Sequence, residues 1–299
     1  MSFSNERNYA VIINPSAGGG RALKLLPEVE RELDARRMVF RVERTRSTEH
    51  GIDIALDALE AREIPVVMSG DGLLGAIGGA MAGSTSPLGL IPAGRGNDLA
   101  RGLGIPTAPA DAVRCLDEGF VRSIDVGEAN GERFLGIASL GFDSDANRIA
   151  NEAKVLKGTM VYAYAAVRAL IGWKPARFSL VEGGVQKRFT GYTVAVANNA
   201  YYGGGMKVAP DADLSDGKLD VVVINEVGKF RFVLNLPRVF KGTHVGDEEV
   251  VQTWKTSGVE IKASRPFTVY ADGDPLTELP ARIRALPSAL RMIVPEPAP

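Results

Sequence analysis

Three glycine-bearing segments stand where short apolar runs end and helical patterns begin: Asn14-Pro15-Ser16-Ala17-Gly18-Gly19-Gly20, Ser69-Gly70-Asp71-Gly72-Leu73-Leu74-Gly75 and Pro92-Ala93-Gly94-Arg95-Gly96-Asn97-Asp98. Glycine lets backbone N–H groups close around an anion, and a following helix adds the positive end of its dipole. The chemistry such loops favour is phosphate binding. The first is not a P-loop, because no Lys-Ser/Thr pair follows its glycines at the required spacing. In the second, Gly70, Gly72 and Gly75 satisfy GxGxxG. A dinucleotide fingerprint also wants an acidic residue about 20 positions on, near the end of the next strand. Here that run ends at Ile91-Pro92 without one. Asp71, a carboxylate among these glycines, can cap a helix or hold magnesium beside phosphates. The third loop adds a cation, Arg95, and a helix cap.

These loops need rigid elements to carry them. Apolar runs at Ala10–Ile13, Val39–Val42, Val66–Met68 and Leu88–Ile91 alternate with helical patterns. Between two of them Ile52, Ala55, Leu56 and Leu59 fall at i, i+3, i+4 and i+7, which predicts one buried helical face. The alternation predicts a parallel sheet with covering helices, binding ligands at the carboxyl ends of its strands. After about Asp125 strand-like runs dominate: Phe134–Ala138, Thr193–Ala197, Leu219–Ile224 and Phe267–Ala271, with helical stretches near 144–172 and 228–240. The expected organisation is an α/β domain over 1–125, rejoined by 283–299, and a mainly antiparallel β-sandwich domain over 126–282.

The chain of 299 residues is 45% hydrophobic and 24% charged, enough to bury a large core. Its 35 basic and 36 acidic residues, with no basic run, speak against nucleic acid as a partner. Cys115 is the only cysteine, so a disulfide framework and a cysteine zinc site within one chain are excluded and a reducing cytoplasm fits. The N-terminus lacks a secretory pattern. The apolar stretch Gly158–Trp173 is interrupted by Tyr162, Tyr164 and Arg168 and is shorter than the ~20 residues of a transmembrane span. Membrane contact is therefore expected to be peripheral. His50 and His244 suit solvated or packing roles, and no His pair has metal-ligand spacing. An exposed sheet edge in the β domain leaves a homodimer open.

Six segments in order carry a resemblance over about Tyr9 to Val294: NPSAGGG, Thr45-Arg46, SGDGLLGAIGGAMAG, PLGLIPAGRGNDLAR, NNAYYGGGMKVAPDADLSDGKLDVV and Ala271-Asp272-Gly273-Asp274-Pro275-Leu276. The chain resembles the family that unites bacterial soluble diacylglycerol kinases with eukaryotic sphingosine and diacylglycerol kinases, distantly related to NAD kinases. The resemblance implies an ATP- and Mg2+-dependent lipid kinase, acting on diacylglycerol at the membrane surface to give phosphatidic acid. It implies a nucleotide site made of Asn14, Pro15, Ser16, Ala17, Gly18, Thr45, Ser69, Gly70, Asp71, Gly72, Leu73, Leu74, Gly75 and Arg95. Asp71 would stand near the ATP phosphates and magnesium. Asp213–Lys218 resembles the family's structural magnesium site, with Asp216 giving a carboxylate and Asp213 and Lys218 backbone carbonyls; alone, it also reads as a polar turn. Asp272 or Asp274 is implied as the base, although Asp-Gly is also an ordinary hairpin turn. Leu140, Phe142, Met160, Tyr164 and Leu170 suit a lipid cleft or a core equally.

The chain departs from the family at Leu73, Gly75 and Ala76, where threonine, asparagine and glutamate are usual, at Arg95 in place of threonine, and at Asp274 in place of glutamate. Rival readings are a kinase for a sphingoid base or another lipid, a nucleotide-binding regulatory protein that has lost catalysis, and a dinucleotide oxidoreductase.

Overall fold

Four apolar runs become four parallel strands in a computed structural model that describes residues 7–142 and 173–296. They are β1 (Asn8–Ile13), β2 (Val39–Arg44), β3 (Ile64–Ser69) and β4 (Gly89–Pro92), in the order β2-β1-β3-β4. β1 and β3 read as unbroken apolar runs rather than alternating ones because both faces of a parallel sheet are covered. The covering helices are α1 (Arg21–Ala35), α2 (Thr48–Glu60), α3 (Asp71–Met81), α4 (Asp98–Gly102) and α5 (Pro109–Glu118). Val11, Ile13, Val29, Leu33, Met68 and Ile91 anchor this core.

The buried face of α2 is rotated from the expected one. Gly51, Ile54, Ala55 and Ala58 are buried, whereas Leu56 is 41% exposed. The reason lies in α3: a Cβ on Gly51 would come within 2.7 Å of Leu73 Cδ1. Close helix approach selects the small-residue face over the bulkier one that periodicity favours.

The chain divides into two compact units, Met1–Val126 with Pro287–Pro299, and Gly127–Leu286. β5 (Phe120–Ala129) begins in the first and is followed by β6 (Glu132–Phe134), β7 (Ile137–Gly141), β8 (Ala176–Glu182), β9 (Val185–Ala197), β10 (Tyr201–Tyr202) and β11 (Met206–Lys207). Then come β12 (Leu219–Asn225), α6 (Lys229–Lys241), β13 (Val251–Thr256), β14 (Gly258–Ala263), β15 (Thr268–Ala271), β16 (Asp274–Glu278) and β17 (Ala281–Val294). The second unit's pairs are antiparallel, among them β7·β9, β8·β9, β9·β12, β12·β13 and β15·β16. The end of β17 returns to the first unit, where Ala289 O and Arg291 O accept from Gly83 N and Leu88 N at 2.7 and 2.8 Å.

Leu140 and Phe142, which also suited a lipid cleft, are core residues here. Phe142 packs edge-on against Trp173, Tyr192 and Phe232, with ring centroids 5.8, 6.4 and 5.1 Å away. Met160, Tyr164 and Leu170, and the helical stretch expected over 144–172, lie outside the described residues.

Burial pushes the Cys115 thiol up to about 11. Only about one molecule in a thousand then carries a thiolate at pH 8, and the thiolate is the nucleophile. Native protein should resist alkylation at pH 8 and react promptly once denatured; equal rates in both states would refute the assignment.

Candidate active site

Because β1, β2, β3 and β4 are parallel neighbours, the segments leaving their carboxyl ends must be neighbours too. The structure places every residue expected at the nucleotide site along this one sheet edge. Thr45, just past β2, donates its N–H to Ile13 O at 2.9 Å, and Ala93, past β4, donates to Ser69 O at 2.8 Å.

The loops are in backbone contact. A Cβ on Gly18 would stand 2.5 Å from Ala93 O, and one on Gly94 would overlap the Cα of Gly70. Gly18 also has φ of 60°, so any side chain there is strained as well as crowded. The guanidinium of exposed Arg95 lies over Gly19, 3.4 Å from where a Cβ would be. One cation and three glycine loops thus converge.

The first loop closes on itself. Asn14 Oδ1 accepts from Ser16 N and Oγ at 3.0 and 2.8 Å, and the N–H groups of Ala17, Gly19 and Gly20 donate to carbonyls within the loop. The glycines therefore shape the loop more than they supply donors. The N–H groups without an intrahelical acceptor are those in the first turns of α1 and α3, whose N-cap residues, Gly20 and Gly70, carry no side chain to cap them. These are the donors an anion would use. Leu73 and Leu74 are buried and Gly75 lies inside α3, so the leucine side chains serve packing.

Asp71 joins the second loop to the third. Its Oδ1 accepts from Leu99 N, in the first turn of α4, at 3.1 Å, so it caps a helix other than its own. No protein hydrogen bond to Oδ2 is recorded among the described residues. The cap expected from the third loop's own residues is replaced by this bond: Asn97 sits at the N-cap of α4 but spends its side chain on Gly94, accepting from its N–H at 2.9 Å and donating to its carbonyl at 3.2 Å.

In the second unit the hairpin between β15 and β16 separates its two carboxylates. Asp272 Oδ2 accepts from Leu135 N and Oδ1 from Gly136 N, both at 2.9 Å. The same bonds explain why the run Phe134–Ala138 is broken between β6 and β7. Asp272 therefore anchors the fold. Asp274 is exposed, and no hydrogen bond or ion pair to its carboxylate is recorded among the described residues.

At the polar turn, Asp213 Oδ1 accepts from Ser215 N and Oγ, and Asp216 Oδ1 accepts from Lys218 N. Lys255, a residue the sequence did not single out, enters from β13, where it pairs across from Asp220. Its Nζ lies 2.9 Å from both Asp216 Oδ2 and Asp220 Oδ2 and donates to Asp211 O at 3.1 Å. Burial works against this ammonium, but its bonds to Asp220 and Asp216 outweigh that and hold its pKa above the usual lysine value. Burial, with the charge of Asp216 adding to it, raises the Asp220 carboxyl despite Lys255. With Lys255 shared by Asp216 and Asp220, and Asp211 and Asp213 set against Lys218 alone, the turn is short of positive charge. Among the described residues no group of three His, Cys, Asp or Glu side chains could hold a metal, so an ion here would depend on main-chain oxygens.

His50 works in the α2 start, its N–H donating to Ser47 Oγ at 3.1 Å. Burial lowers the pKa of His244, whose Nε2 is 3.1 Å from Val208 O. No described helix is long and apolar enough to cross a membrane.

A parallel sheet with glycine loops along its carboxyl edge, followed by an antiparallel unit with a carboxylate hairpin, is an architecture suited to nucleotide-dependent phosphoryl transfer. Residues 8–129 match the diacylglycerol kinase catalytic domain, and residues 136–294 match the YegS C-terminal NAD kinase beta sandwich-like domain. The chain is 37% identical to a diacylglycerol kinase of Mycobacterium tuberculosis, covering 95% of this chain and 94% of that one. It is 34% identical to a YegS-like lipid kinase of Pseudomonas fluorescens over 77% of each. A crystal structure of a diacylglycerol kinase from Bacillus anthracis shares the fold, with a TM-score of 0.75 over 97% of both chains at 22% identity. The chain belongs to the diacylglycerol kinase and YegS-like family of ATP-dependent lipid kinases.

Proposed function

We propose that this protein transfers the γ-phosphoryl group of ATP to the free hydroxyl of diacylglycerol, giving phosphatidic acid and ADP. The relative named diacylglycerol kinase, alike over nearly the whole length of both chains, carries this choice of lipid. In phosphoryl transfer the protein's work is positioning and charge stabilisation. The first-turn N–H groups of α1 and α3, with Arg95, hold the ATP phosphates. Asp274, exposed and with its carboxylate in no hydrogen bond or ion pair among the described residues, accepts the acceptor's hydroxyl proton as the new O–P bond forms and the bond to the β-phosphate oxygen breaks.

Two positions suit Mg2+ by their donor chemistry. Asp71 offers Oδ2 at the phosphate loops, and Asp216 offers a carboxylate in a turn where the main-chain carbonyls of Asp213 and Lys218 would complete the oxygen set and an ammonium already marks a cation-favouring spot. Mg2+ at the nucleotide would neutralise phosphate charge, and at the turn it would complete the charge balance. Magnesium should raise the melting temperature of wild-type protein more than sodium at equal ionic strength. Asp216→Asn should reduce that increment and Lys255→Met should enlarge it. Identical magnesium responses in all three proteins would refute the turn as a site.

Purified protein, labelled ATP and magnesium, offered diacylglycerol, sphingosine and a total lipid extract separately, test the substrate. Label in phosphatidic acid is the expected result. Label only in a sphingoid or other product would replace diacylglycerol, and no labelled lipid from folded, ATP-binding protein would favour a regulatory role.

A further inference from the structure

α6 has the sequence KFRFVLNLPRVFK, with apolar residues around most of its circumference and four cations but no acid. Phe232 alone is buried in it, stacked on Tyr192 with ring centroids 4.6 Å apart and edge-on to Phe142 at 5.1 Å. Arg231 ties the helix down through both carboxylate oxygens of Asp247 at 3.0 Å and Glu249 at 2.9 Å. The opposite side is the exposed one. Phe230 is 78% exposed, Leu234 59%, Phe240 55% and Val233 44%. At about 100° per residue these four fall within one outward stripe roughly a third of the circumference wide. Of the ten large apolar side chains exposed among the described residues, five belong to this 13-residue helix. That concentration is a patch, since single exposed apolar residues are ordinary and contiguous ones are not.

We infer that α6 is the membrane-docking element of this kinase, lying flat in the interface of an anionic bilayer with Phe230, Val233, Leu234 and Phe240 among the acyl chains. The charge of the helix selects the occupant. With Arg231 paired to Asp247 and Glu249, Lys229, Arg238 and Lys241 still give the helix a basic excess and no acid of its own, while the chain as a whole has a net charge of −1. A basic helix with an aromatic and aliphatic outer stripe matches the interfacial amphipathic class, which binds through buried apolar area together with attraction to anionic lipid. A second copy of this chain would have to set this basic helix against itself, which disfavours self-association through it. The inference uses only that the substrate is a lipid, not which lipid, and docking is read without catalysis.

Flotation of the full-length protein with phosphatidylcholine vesicles, and with vesicles containing phosphatidylglycerol, tests it. Wild-type protein should float with the anionic vesicles and weakly or not at all with the neutral ones, and added salt should release it. The double variant Phe230→Ser, Leu234→Ser should bind at least tenfold more weakly, while its melting temperature and its turnover of a water-soluble short-chain substrate stay near wild type, because both side chains are exposed. Lys241→Glu should weaken binding to anionic vesicles alone. Wild-type protein that ignores anionic vesicles, or a double variant that floats as well as wild type, would overturn the assignment. So would a wild-type dimer that the double variant converts to monomer without change in flotation, since α6 would then be a subunit contact.

Discussion

Asp274→Asn should lower kcat by about 10²–10⁴-fold, the range for loss of a general base, while ATP affinity and melting temperature stay near wild type. The carboxylate is exposed and makes no hydrogen bond or ion pair among the described residues, so its charge is not expected to hold the fold. Asp272→Asn should behave differently. Both Asp272 oxygens accept backbone N–H groups, from Leu135 and Gly136. An amide must turn its NH2 toward one of those donors, leaving it unsatisfied at a cost of about 1–3 kcal/mol. For a unit of this size each kcal/mol lowers the melting temperature by roughly 2–4 °C. Asp272→Asn should therefore be several degrees less stable, with activity lost mainly as folded protein is lost. Calorimetry beside steady-state kinetics separates the two. If Asp274→Asn keeps full turnover and folded Asp272→Asn loses it, the base assignment must be exchanged.

The second large effect is expected at Asp71, where two roles can be pulled apart. Its Oδ1 caps α4 through Leu99 N, and its charge is proposed to serve magnesium and the ATP phosphates. Asp71→Asn retains an oxygen acceptor for Leu99 but removes the charge. Asp71→Ala removes both, with a capping loss of about 0.5–2 kcal/mol, which a folded domain of ordinary stability survives. If the charge matters to chemistry, both variants should lose on the order of 10²-fold or more in kcat/KM for ATP, and only Asp71→Ala should melt earlier. An active Asp71→Asn protein would reduce Asp71 to a helix cap. Gly94→Val provides a control on geometry, because its side chain would meet the backbone of Gly70 and part the two loops without touching a charge.

Much of this molecule is legible locally. An unbroken apolar run such as Ala10–Ile13, short and ended by Asn-Pro and glycines, reads as a covered strand leading to a turn, and the likeness of six segments in order identifies the family. The placement of Asn14–Gly18, Thr45, Ser69–Gly75 and Arg95 along one edge follows from that, since parallel strands put all their carboxyl ends on one side. What needed the tertiary structure was the partner of each charged group. Asp71 serves a helix that starts beyond it in sequence, Asp216 in its turn meets Lys255 from β13, and Asp272 reaches Leu135 and Gly136 from far along the chain. The DGD spelling treats its two carboxylates alike; the fold binds one and leaves the other exposed. The same holds for α2, whose periodicity nominated Leu56 until the approach of Leu73 selected Gly51 instead. Backbone preference and burial pattern are written in neighbouring residues. A hydrogen bond or ion pair depends on which distant atoms arrive within about 3 Å, and only the packed chain decides that.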